Sequence, residues 1–593
     1  MYLAAVIVFL ALILLPPIIG IFTKWDTVQQ VFDQPTLMDR TLIAVVNSFV
    51  IALLVSALDV LAGVPMAWLI TRGKSRWLNV LDTFADIPFI VPTAALGYSL
   101  LLFWNGPEGL SALFGGSLIS TGWLLIVLLH FAFSYPIVVR VLVGALLDYK
   151  MEYEQASRTL GAPPFIAVRT VTFPILKPAL IAAFILSFAR SLSETGATFI
   201  VAGAFENGPV FIQNVRNEFS VSAPALYEGA TVFASLILII TSLTIFALIR
   251  ILGSKLRLPF NRVWPSIERK LSYSKAATSR NTVTLIVFVA IVLLPSLFVA
   301  LPAFQAVFAG TLSAAVSGSG LWGDYWQSLL LSYLLGAIVT LISFIVGLPM
   351  AILIARKKFG KMPSTVLDIL VNIPLIVPSI ALGVSLKFFW QSLLLSYLLG
   401  AIVTLISFIV GLPMAILIAR KKFGKMPSTV LDILVNIPLI VPSIALGVSL
   451  KFFWQSFAFM PEFLLLVFAH LAITYPYFVR SMSAAFERIS LDMEEAARTL
   501  GAKPFGVFRT IMLPLTKYSI LSGAIMVFTR SVSETGATLA VVTNLQTAPV
   551  VIVNWVKAPL SSAEIGLGCG ILIVFSFLIL LLLRFVTRGK GRY

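Results

Sequence analysis

Long apolar runs dominate the chain, and short polar segments separate them. The run at residues 41–70 exceeds the roughly 20 apolar residues that cross a bilayer core. The pattern predicts membrane-spanning helices at residues 2–22, 41–70, 78–104, 121–145, 177–203 and 227–252. Alternating segments of about ten residues, which are typical of a β-barrel, are not evident. The stretch 2–22 has no basic region or small-residue cleavage site of a signal peptide, so we expect a retained span.

The apolar pattern then starts again. Residues 130–140 resemble residues 470–480, and residues 189–201 resemble residues 529–541. We therefore divide the chain into a first repeat (1–252), a basic cytoplasmic linker (253–281) and a second repeat (282–593). Six spans are an even number, so both repeats enter the membrane from the same side and are parallel. The predicted fold is an all-α, polytopic bundle of membrane helices.

The second repeat contains another, identical repeat. Residues 326–389 recur letter for letter at residues 390–453, at an offset of 64 (390 − 326). Each unit holds two predicted spans and one basic loop, so one unit is a surplus hairpin that leaves the downstream orientation unchanged. The chain then has about 14 spans. The sequence leaves open whether the duplication is recent or an assembly error.

Composition agrees with a membrane protein. The chain is 59% hydrophobic and 11% charged, whereas soluble domains carry about 25% charged residues. The net charge of +17 follows from Lys and Arg in cytoplasmic loops, because basic clusters follow spans two, four and six. We therefore expect no nucleic-acid partner, and both termini in the cytoplasm. With one cysteine, Cys569, and only His130 and His470, the sequence predicts no disulfide, metal site, catalytic group or cofactor.

A polar cassette lies between spans four and five and occurs twice, at residues 151–176 and 491–516. The two copies are related by a constant offset (494 − 154 = 340), which pairs Glu154 with Glu494, Gly161 with Gly501, and Pro174 with Pro514. Each copy predicts a short amphipathic helix that ends at a left-handed glycine, followed by a proline that opens the next segment. One such helix could be an ordinary interfacial loop. Recurrence of the same Glu–Gly–Pro spacing favours two docking sites for protein partners.

At these residues the chain resembles the permease subunits of binding-protein-dependent, type I ABC importers. Their cytoplasmic signature reads E-A-A, then G, then I-x-L-P, and 494-EEAARTLG-501 with 511-IMLP-514 matches it closely. The first copy departs from the signature at Gln155 and at 171-VTFP-174. The overall plan is similar to the fused double permeases of ferric-iron and thiamine importers. The segment 194-ETGAT-198 is similar to the G-E-F-G-A-T of molybdate, tungstate and sulfate permeases.

The resemblance implies a permease that is not itself an enzyme, in the cell membrane of a prokaryote. It implies two ATP-binding subunits and an extracytoplasmic substrate-binding protein as partners. Gly73-Lys74-Ser75 is no P-loop, because Trp68 stands where the first glycine is needed. The coupling residues carried over are Glu154, Gln155, Ala156, Arg158, Gly161, Pro174, Glu494, Glu495, Ala496, Ala497, Arg498, Gly501 and Pro514. From the fused plan we expect ferric iron or a thiamine-type solute as substrate, with a molybdate, tungstate or sulfate permease as the alternative.

Polar residues inside span five are candidates for the translocation path. They are Arg190, Glu194 and Thr195, with Arg530, Glu534 and Thr535 as their counterparts. Ionisable groups at membrane depth face a cavity or pair with each other, so an intrahelical Arg–Glu pair is the alternative. His130 and His470 are expected to be packing residues rather than substrate ligands. The competing class is an ion-coupled secondary transporter, which needs no paired cassettes.

Overall fold

The computed structural model describes residues 25–73, 75, 77–219, 222–255, 265–355, 466, 470, 474, 491–541, 546–558 and 560–587. Every regular element in those ranges is helical, which confirms the all-α prediction. The helices of the first repeat are α1 (Trp25–Phe32), α2 (Pro35–Arg72), α3 (Trp77–Phe84), α4 (Ile87–Ile90), α5 (Thr93–Trp104), α6 (Trp123–Asp148), α7 (Met151–Thr159), α8 (Pro164–Ala167), α9 (Phe173–Ser193), α10 (Gly196–Val201), α11 (Gly208–Phe219) and α12 (Pro224–Lys255).

The remaining described helices belong to the linker and the second repeat. They are α13 (Pro265–Leu271), α14 (Ser274–Val287), α15 (Leu294–Leu297), α16 (Ala300–Phe308), α17 (Thr311–Ser317), α18 (Leu321–Ala355), α19 (Leu491–Thr499), α20 (Pro504–Val507), α21 (Leu513–Val532), α22 (Gly536–Val541), α23 (Ala548–Lys557) and α24 (Ser562–Thr587). Both ends of the predicted linker 253–281 are helical, because α12 runs to Lys255 and α14 begins at Ser274.

Five of the described helical segments are long and apolar enough to cross a membrane. They are Pro35–Arg72, Trp123–Asp148, Pro164–Ser193, Ser274–Phe308 and Leu321–Pro349. This confirms a polytopic membrane protein. The predicted span at 2–22, and most of the duplicated hairpins at 326–453, lie outside the described residues.

Two predicted spans are not continuous helices. The prediction of one span at 78–104 was wrong, because the chain forms α3, α4 and α5 there. Pro92 lies immediately before α5, and Pro88 lies in the first turn of α4. Proline has no N–H to donate and its ring crowds the preceding turn of a helix, so Pro88 and Pro92 favour the two breaks found here. The predicted span at 177–203 was also wrong as one helix, since it is divided into α9 and α10.

Each repeat is organised around a long helix near its start. In the first repeat α2 packs against α6 and α9, and in the second repeat α18 packs against α21. Ser48 in α2 accepts a hydrogen bond from the Gly208 N–H at 2.7 Å, and Ser332 in α18 accepts one from the Ala548 N–H at 2.8 Å. The described structure therefore places the first copy of the duplicated unit, residues 326–355, where the second repeat needs its counterpart of α2.

The repeats are also interleaved. Helix α14, the first helix of the second repeat, packs against α2 of the first. Ser99 in α5 donates a hydrogen bond to the Pro295 carbonyl at 2.6 Å and accepts one from the Val299 N–H at 2.9 Å. A single buried hydroxyl thus joins the two repeats where α15 begins.

Candidate functional site: two cassettes and a broken helix in each repeat

The two cassettes have the same backbone. Helix α7 is followed by Gly161 at φ +90°, and helix α19 by Gly501 at φ +87°. The Gly161 N–H donates to the Arg158 carbonyl and the Gly501 N–H to the Arg498 carbonyl, both at 3.0 Å. Side chains other than glycine adopt this left-handed conformation only with strain. The predicted left-handed glycine at the end of each helix is confirmed.

Most of the predicted coupling residues form an exposed surface. Leu160 and Leu500, the last residues before the two glycines, are 89% and 88% exposed. The exposed members of the predicted set are Gln155, Ala156, Arg158, Gly161 and Pro174 in the first cassette, and Glu495, Ala496, Arg498, Gly501 and Pro514 in the second; Ala497 is half-buried. Each cassette therefore presents an exposed leucine beside charged and small side chains.

Glu154 does not belong to that surface. Its side chain is buried, and its Oε2 accepts a hydrogen bond from the Thr172 hydroxyl at 3.3 Å. The same oxygen lies 3.7 Å from Nη2 of Arg72, the last residue of α2. Glu154 thus ties the first cassette to the end of α2 and positions it. The side chain of Glu494 lies outside the described part of the chain.

The second halves of the cassettes also match. In each copy a four-residue helix, α8 or α20, leads into one turn of π-helix, Val168–Thr172 or Phe508–Met512. Single π-turns are rare and occur most often at functional sites. Pro174 and Pro514 then lie in the first turn of the next membrane helix. The repeated irregularity means that both cassettes enter the membrane with the same geometry.

The linker contacts the first cassette, which the sequence analysis missed. Arg169, in the π-turn, pairs with Glu268 of α13 at 2.9 Å, and both side chains are almost fully buried. The Phe165 N–H, in α8, donates to the Ser272 hydroxyl at 3.4 Å. Arg509, which corresponds to Arg169, is exposed. The linker contact therefore distinguishes the first cassette from the second.

The translocation-path candidates lie where the fifth span is broken. Helix α9 ends at Ser193, and Glu194 has an extended backbone (ψ 130°). Its Oε2 pairs with Arg190 at 2.8 Å, while its Oε1 accepts the Ala197 N–H at 3.3 Å. Arg530 and Glu534 pair in the same way at 2.6 Å. The Arg–Glu pair is present as expected, but Glu194 lies beyond the end of its helix rather than within it.

The two histidines hold these breaks in place. Nδ1 of His130 lies 2.8 Å from the Ser191 hydroxyl before the break, and Nε2 lies 2.8 Å from the Thr198 hydroxyl after it. His470 makes the equivalent contacts with Ser531 at 3.0 Å and Thr538 at 2.9 Å. Each ring is buried and has a partner on both nitrogens, so the structure gives both histidines the packing role that the sequence favoured.

The two breaks meet at the interface between the repeats. A Cβ built on Gly196 would lie 2.4 Å from the Cβ of Thr535, so the Gly196 backbone is in close contact with the Thr535 side chain. The Thr93 hydroxyl donates to the Ser533 carbonyl at 3.3 Å, and Arg216 donates to the Leu539 carbonyl. Glu194, Thr195, Glu534 and Thr535 are buried there. The structure thus brings the predicted path residues together from both halves.

A charged cluster marks the opposite end of α2. Arg40 donates hydrogen bonds to Glu206 at 2.6 and 2.7 Å and to Glu218 at 2.8 Å. Burial acts to raise the pKa of Glu206, but hydrogen bonds from Arg40 and Asn214 outweigh it and hold that pKa below its usual range. An open cavity of about 560 Å³ adjoins the cluster and is lined in part by Asn47 and Phe205. Its members are distant in the chain, so no local pattern in the sequence indicates this cluster.

The chain was also compared with known proteins. Residues 59–258 and 411–589 match the family described as binding-protein-dependent transport system inner membrane component. The chain belongs to this family. It carries the family's domain twice, which confirms the fused double permease of a type I ABC importer. This permease is accordingly a multi-pass inner-membrane protein. The second match begins at residue 411, in the second copy of the duplicated unit, whereas the structure places the first copy beside α21.

The permease is similar to several transporters of oxyanions. A sulfate transport system permease protein of Salmonella typhimurium is 32% identical over 253 residues, which are 41% of this chain and 88% of the relative. A molybdate/tungstate transport system permease protein of Pyrococcus abyssi is 27% identical over 257 residues, 42% of this chain and 95% of the relative. A molybdenum transport system permease protein of Escherichia coli is 30% identical over 217 residues, 34% of this chain and 93% of the relative.

These relatives change the substrate expectation. Each aligns over less than half of the permease and over most of its own length. Their names refer to sulfate, molybdate, tungstate and molybdenum. The prediction of ferric iron or a thiamine-type solute is therefore not supported, and the alternative, an oxyanion permease, is favoured.

Proposed function

We propose that this chain is the membrane-spanning subunit of an ATP-driven importer for a tetrahedral oxyanion of the sulfate, molybdate and tungstate class. The observation that carries this proposal is the pair of equivalent cassettes in a chain whose relatives are named for those oxyanions. One chain supplies both halves of the path, where two subunits of single-repeat length would otherwise be needed.

Two ATP-binding subunits drive the permease, one at each cassette. The exposed Leu160 and Leu500 are the contact points, and the charged residues around them form the rim of each interface. Closure of the two subunits pushes both cassettes together. Glu154 supports this role, because its contacts with Arg72 and Thr172 transmit a push on α7 to α2 and to the start of α9.

The cassettes lie on the cytoplasmic side, together with both termini. The support is the basic clusters that follow α2, α6 and α12, which the positive-inside rule assigns to the cytoplasm. The cluster of Arg40, Glu206 and Glu218 then lies on the extracytoplasmic side, at the other end of α2. A substrate-binding protein docks on that side, and the open cavity beside Arg40 is part of its contact surface.

The path runs along the interface at which the two broken helices meet. A rigid-body movement of the repeats separates Gly196 from Thr535 and opens the polar groups around them to the path. Arg190 and Arg530 provide positive charge beside an anion, while Glu194 and Glu534 hold those charges in place in the closed state. Non-helical backbone at membrane depth is tolerated where it is enclosed by protein in this way.

A substrate panel tests the proposal. Uptake of radiolabelled sulfate, molybdate and tungstate is measured in cells that express the permease with the ATP-binding subunit and binding protein of its own system, beside ferric iron and thiamine. We expect uptake of at least one oxyanion and competition among the three. Uptake of ferric iron or thiamine with no oxyanion uptake would overturn the proposed substrate class. That result would not contradict ATP-driven transport, which is tested separately.

A further inference from the structure

A carboxyl group is enclosed within the first repeat, between α2, α6 and the part of α9 that precedes the break at Glu194. Asp59 lies in the middle of α2 and is fully buried. Its Oδ2 accepts a hydrogen bond from the Ser187 hydroxyl of α9 at 2.6 Å and is in close hydrogen-bonding contact with the Ser134 hydroxyl of α6. Its Oδ1 is buried and has no hydrogen-bond partner among the described residues.

The number of protons available to the oxygen atoms of this cluster determines whether the Asp59 carboxyl group is protonated. The Ser134 oxygen lies within hydrogen-bonding distance of two acceptors, Asp59 Oδ2 and, at 2.6 Å, the His130 carbonyl. A hydroxyl has one proton to donate, and a carbonyl can only accept. If the Ser134 proton goes to the His130 carbonyl, the contact with Asp59 needs a proton on the carboxyl group itself.

The second repeat shows which acceptor the hydroxyl prefers. Thr474 corresponds to Ser134, and it donates to the His470 carbonyl at 2.8 Å. Ser343 stands at the position of Asp59, as far beyond Ser332 as Asp59 is beyond Ser48, so the equivalent described position carries no carboxylate. In both repeats, therefore, the hydroxyl at this position donates to the histidine carbonyl four residues earlier in the helix.

The charges around Asp59 do not favour an ionised carboxylate. Tyr135 of α6 is the titratable group that interacts electrostatically with Asp59, while His130 contributes its backbone carbonyl to the cluster and turns its ring toward Ser191 and Thr198. Three helices that pack against α2 are α6, α9 and α14. The cations on these four helices are Arg40, Arg72, Arg140, Lys177, Arg190, Lys275 and Arg280. Among the described residues none of them pairs with Asp59; Arg40, Arg72, Arg140 and Arg190 pair with other carboxylates. An isolated ionised carboxylate in an apolar interior is strongly unfavourable.

We propose that Asp59 is a proton-binding site inside the membrane part of the first repeat. The proton lies on Oδ2 and is donated to Ser134, while Ser187 donates to the same oxygen. The ligand is a single proton. At the equivalent described positions of the second repeat stand Ser343, Thr474 and Val527, which have no carboxyl group. The proposal does not depend on the substrate or on the cassettes.

Infrared spectroscopy of the purified, reconstituted permease tests the proposal directly. The difference between wild type and Asp59→Asn at neutral pH is expected to contain the C=O stretch of a protonated carboxyl group and no carboxylate stretch. A carboxylate stretch in that difference would overturn the assignment. Folding of the variant is checked by its thermal transition and by its elution as a single species.

Uptake provides a second measurement. The amide of Asp59→Asn can donate to Ser134 as the protonated acid does, and the Ser187 proton can turn to the Ala183 carbonyl four residues back. We expect uptake within about twofold of wild type for Asp59→Asn, because both polar groups remain satisfied. Loss of uptake in a normally folded Asp59→Asn permease would show that the carboxylate form is needed and would contradict the proposal.

Discussion

Gly196 and Thr535 are in direct contact across the interface between the repeats, with no room for a side chain between them. A Cβ on Gly196 would meet the Cβ of Thr535 at 2.4 Å and its Cγ2 at 2.6 Å. Both residues follow the glutamate at which their span breaks. This close contact between the two halves therefore coincides with the point at which each half departs from helical structure.

Gly196→Ala is expected to separate the repeats. The added methyl group overpacks the contact, which costs about 1–3 kcal/mol and lowers both the thermal transition and the uptake. Gly144→Ala is the control, because nothing lies within 4 Å of a Cβ at Gly144, near the C-terminal end of α6. Alanine there is expected to be neutral or slightly stabilising. The double variant Gly196→Ala/Thr535→Gly removes the opposing side chain and should recover part of the lost stability and uptake. If neither recovers, the effect of Gly196→Ala does not come from contact with Thr535.

Cysteines at Leu160 and Leu500 are expected to cross-link to the ATP-binding subunits. The native Cys569 is buried and is replaced by serine, so the introduced thiol is the accessible one. Both single variants should give a cross-linked product with a short bifunctional thiol reagent in the assembled importer. Leu61→Cys is the control, because Leu61 is 73% exposed but lies on the apolar surface of α2. If Leu61→Cys gave as much cross-linked product as Leu160→Cys and Leu500→Cys, the docking role of the cassettes would be contradicted.

Breaking the linker contact is expected to expose the linker. Glu268→Ala leaves Arg169 without its carboxylate in a nearly closed site, which costs about 3–5 kcal/mol locally. Trypsin should then cut faster after the exposed Arg269 and Lys270. The exposed Ser266→Ala is the control and keeps both cleavage sites.

The double variant Arg169→Met/Glu268→Leu completes this test. It replaces the pair with apolar side chains and should restore protection, because a buried pair can be exchanged for apolar groups with little loss. Equal cleavage of wild type and Glu268→Ala would show that the contact does not hold the linker.

Removal of one copy of the duplicated unit is expected to leave a working permease. Deletion of residues 326–389 leaves 529 residues (593 − 64 = 529). The remaining copy, residues 390–453, has the same amino-acid sequence as the deleted one. Ser396 then takes the role of Ser332 as the acceptor for the Ala548 N–H. Expression level, membrane insertion and uptake should match the full chain. Loss of insertion would show that both copies are needed.

Local chemistry decided which parts could be predicted from the sequence. Gly161 and Gly501 were predicted correctly because a left-handed turn after a helix favours glycine, whatever surrounds it. The spans at α2 and α6 were predicted because length and hydropathy are properties of one segment. The two cassettes were recognised for the same reason, since all the residues of each signature lie within one short segment of the sequence.

Long-range contacts account for what was missed. Nothing near Glu194 in the sequence requires a helix to stop there, and the break is held by His130, which lies 61 and 68 positions from its two partners. The roles of Glu154 and Arg169 depend on Arg72 and Glu268, residues on other helices. Asp59 resembles any polar residue in an apolar run until α6 and α9 bring two hydroxyl groups to it.

ATP-dependent oxyanion uptake by cassette variants is the most direct test of the account. The permease is reconstituted in proteoliposomes with its ATP-binding subunit and binding protein, and uptake of radiolabelled sulfate or molybdate is followed with and without ATP. We expect uptake only with ATP, and its loss in Gly161→Asp and in Gly501→Asp, because an aspartate is strained at φ near +90° and alters the docking surface. Uptake that persists without ATP and collapses when ion gradients are dissipated, or that is unchanged in both variants, would contradict it.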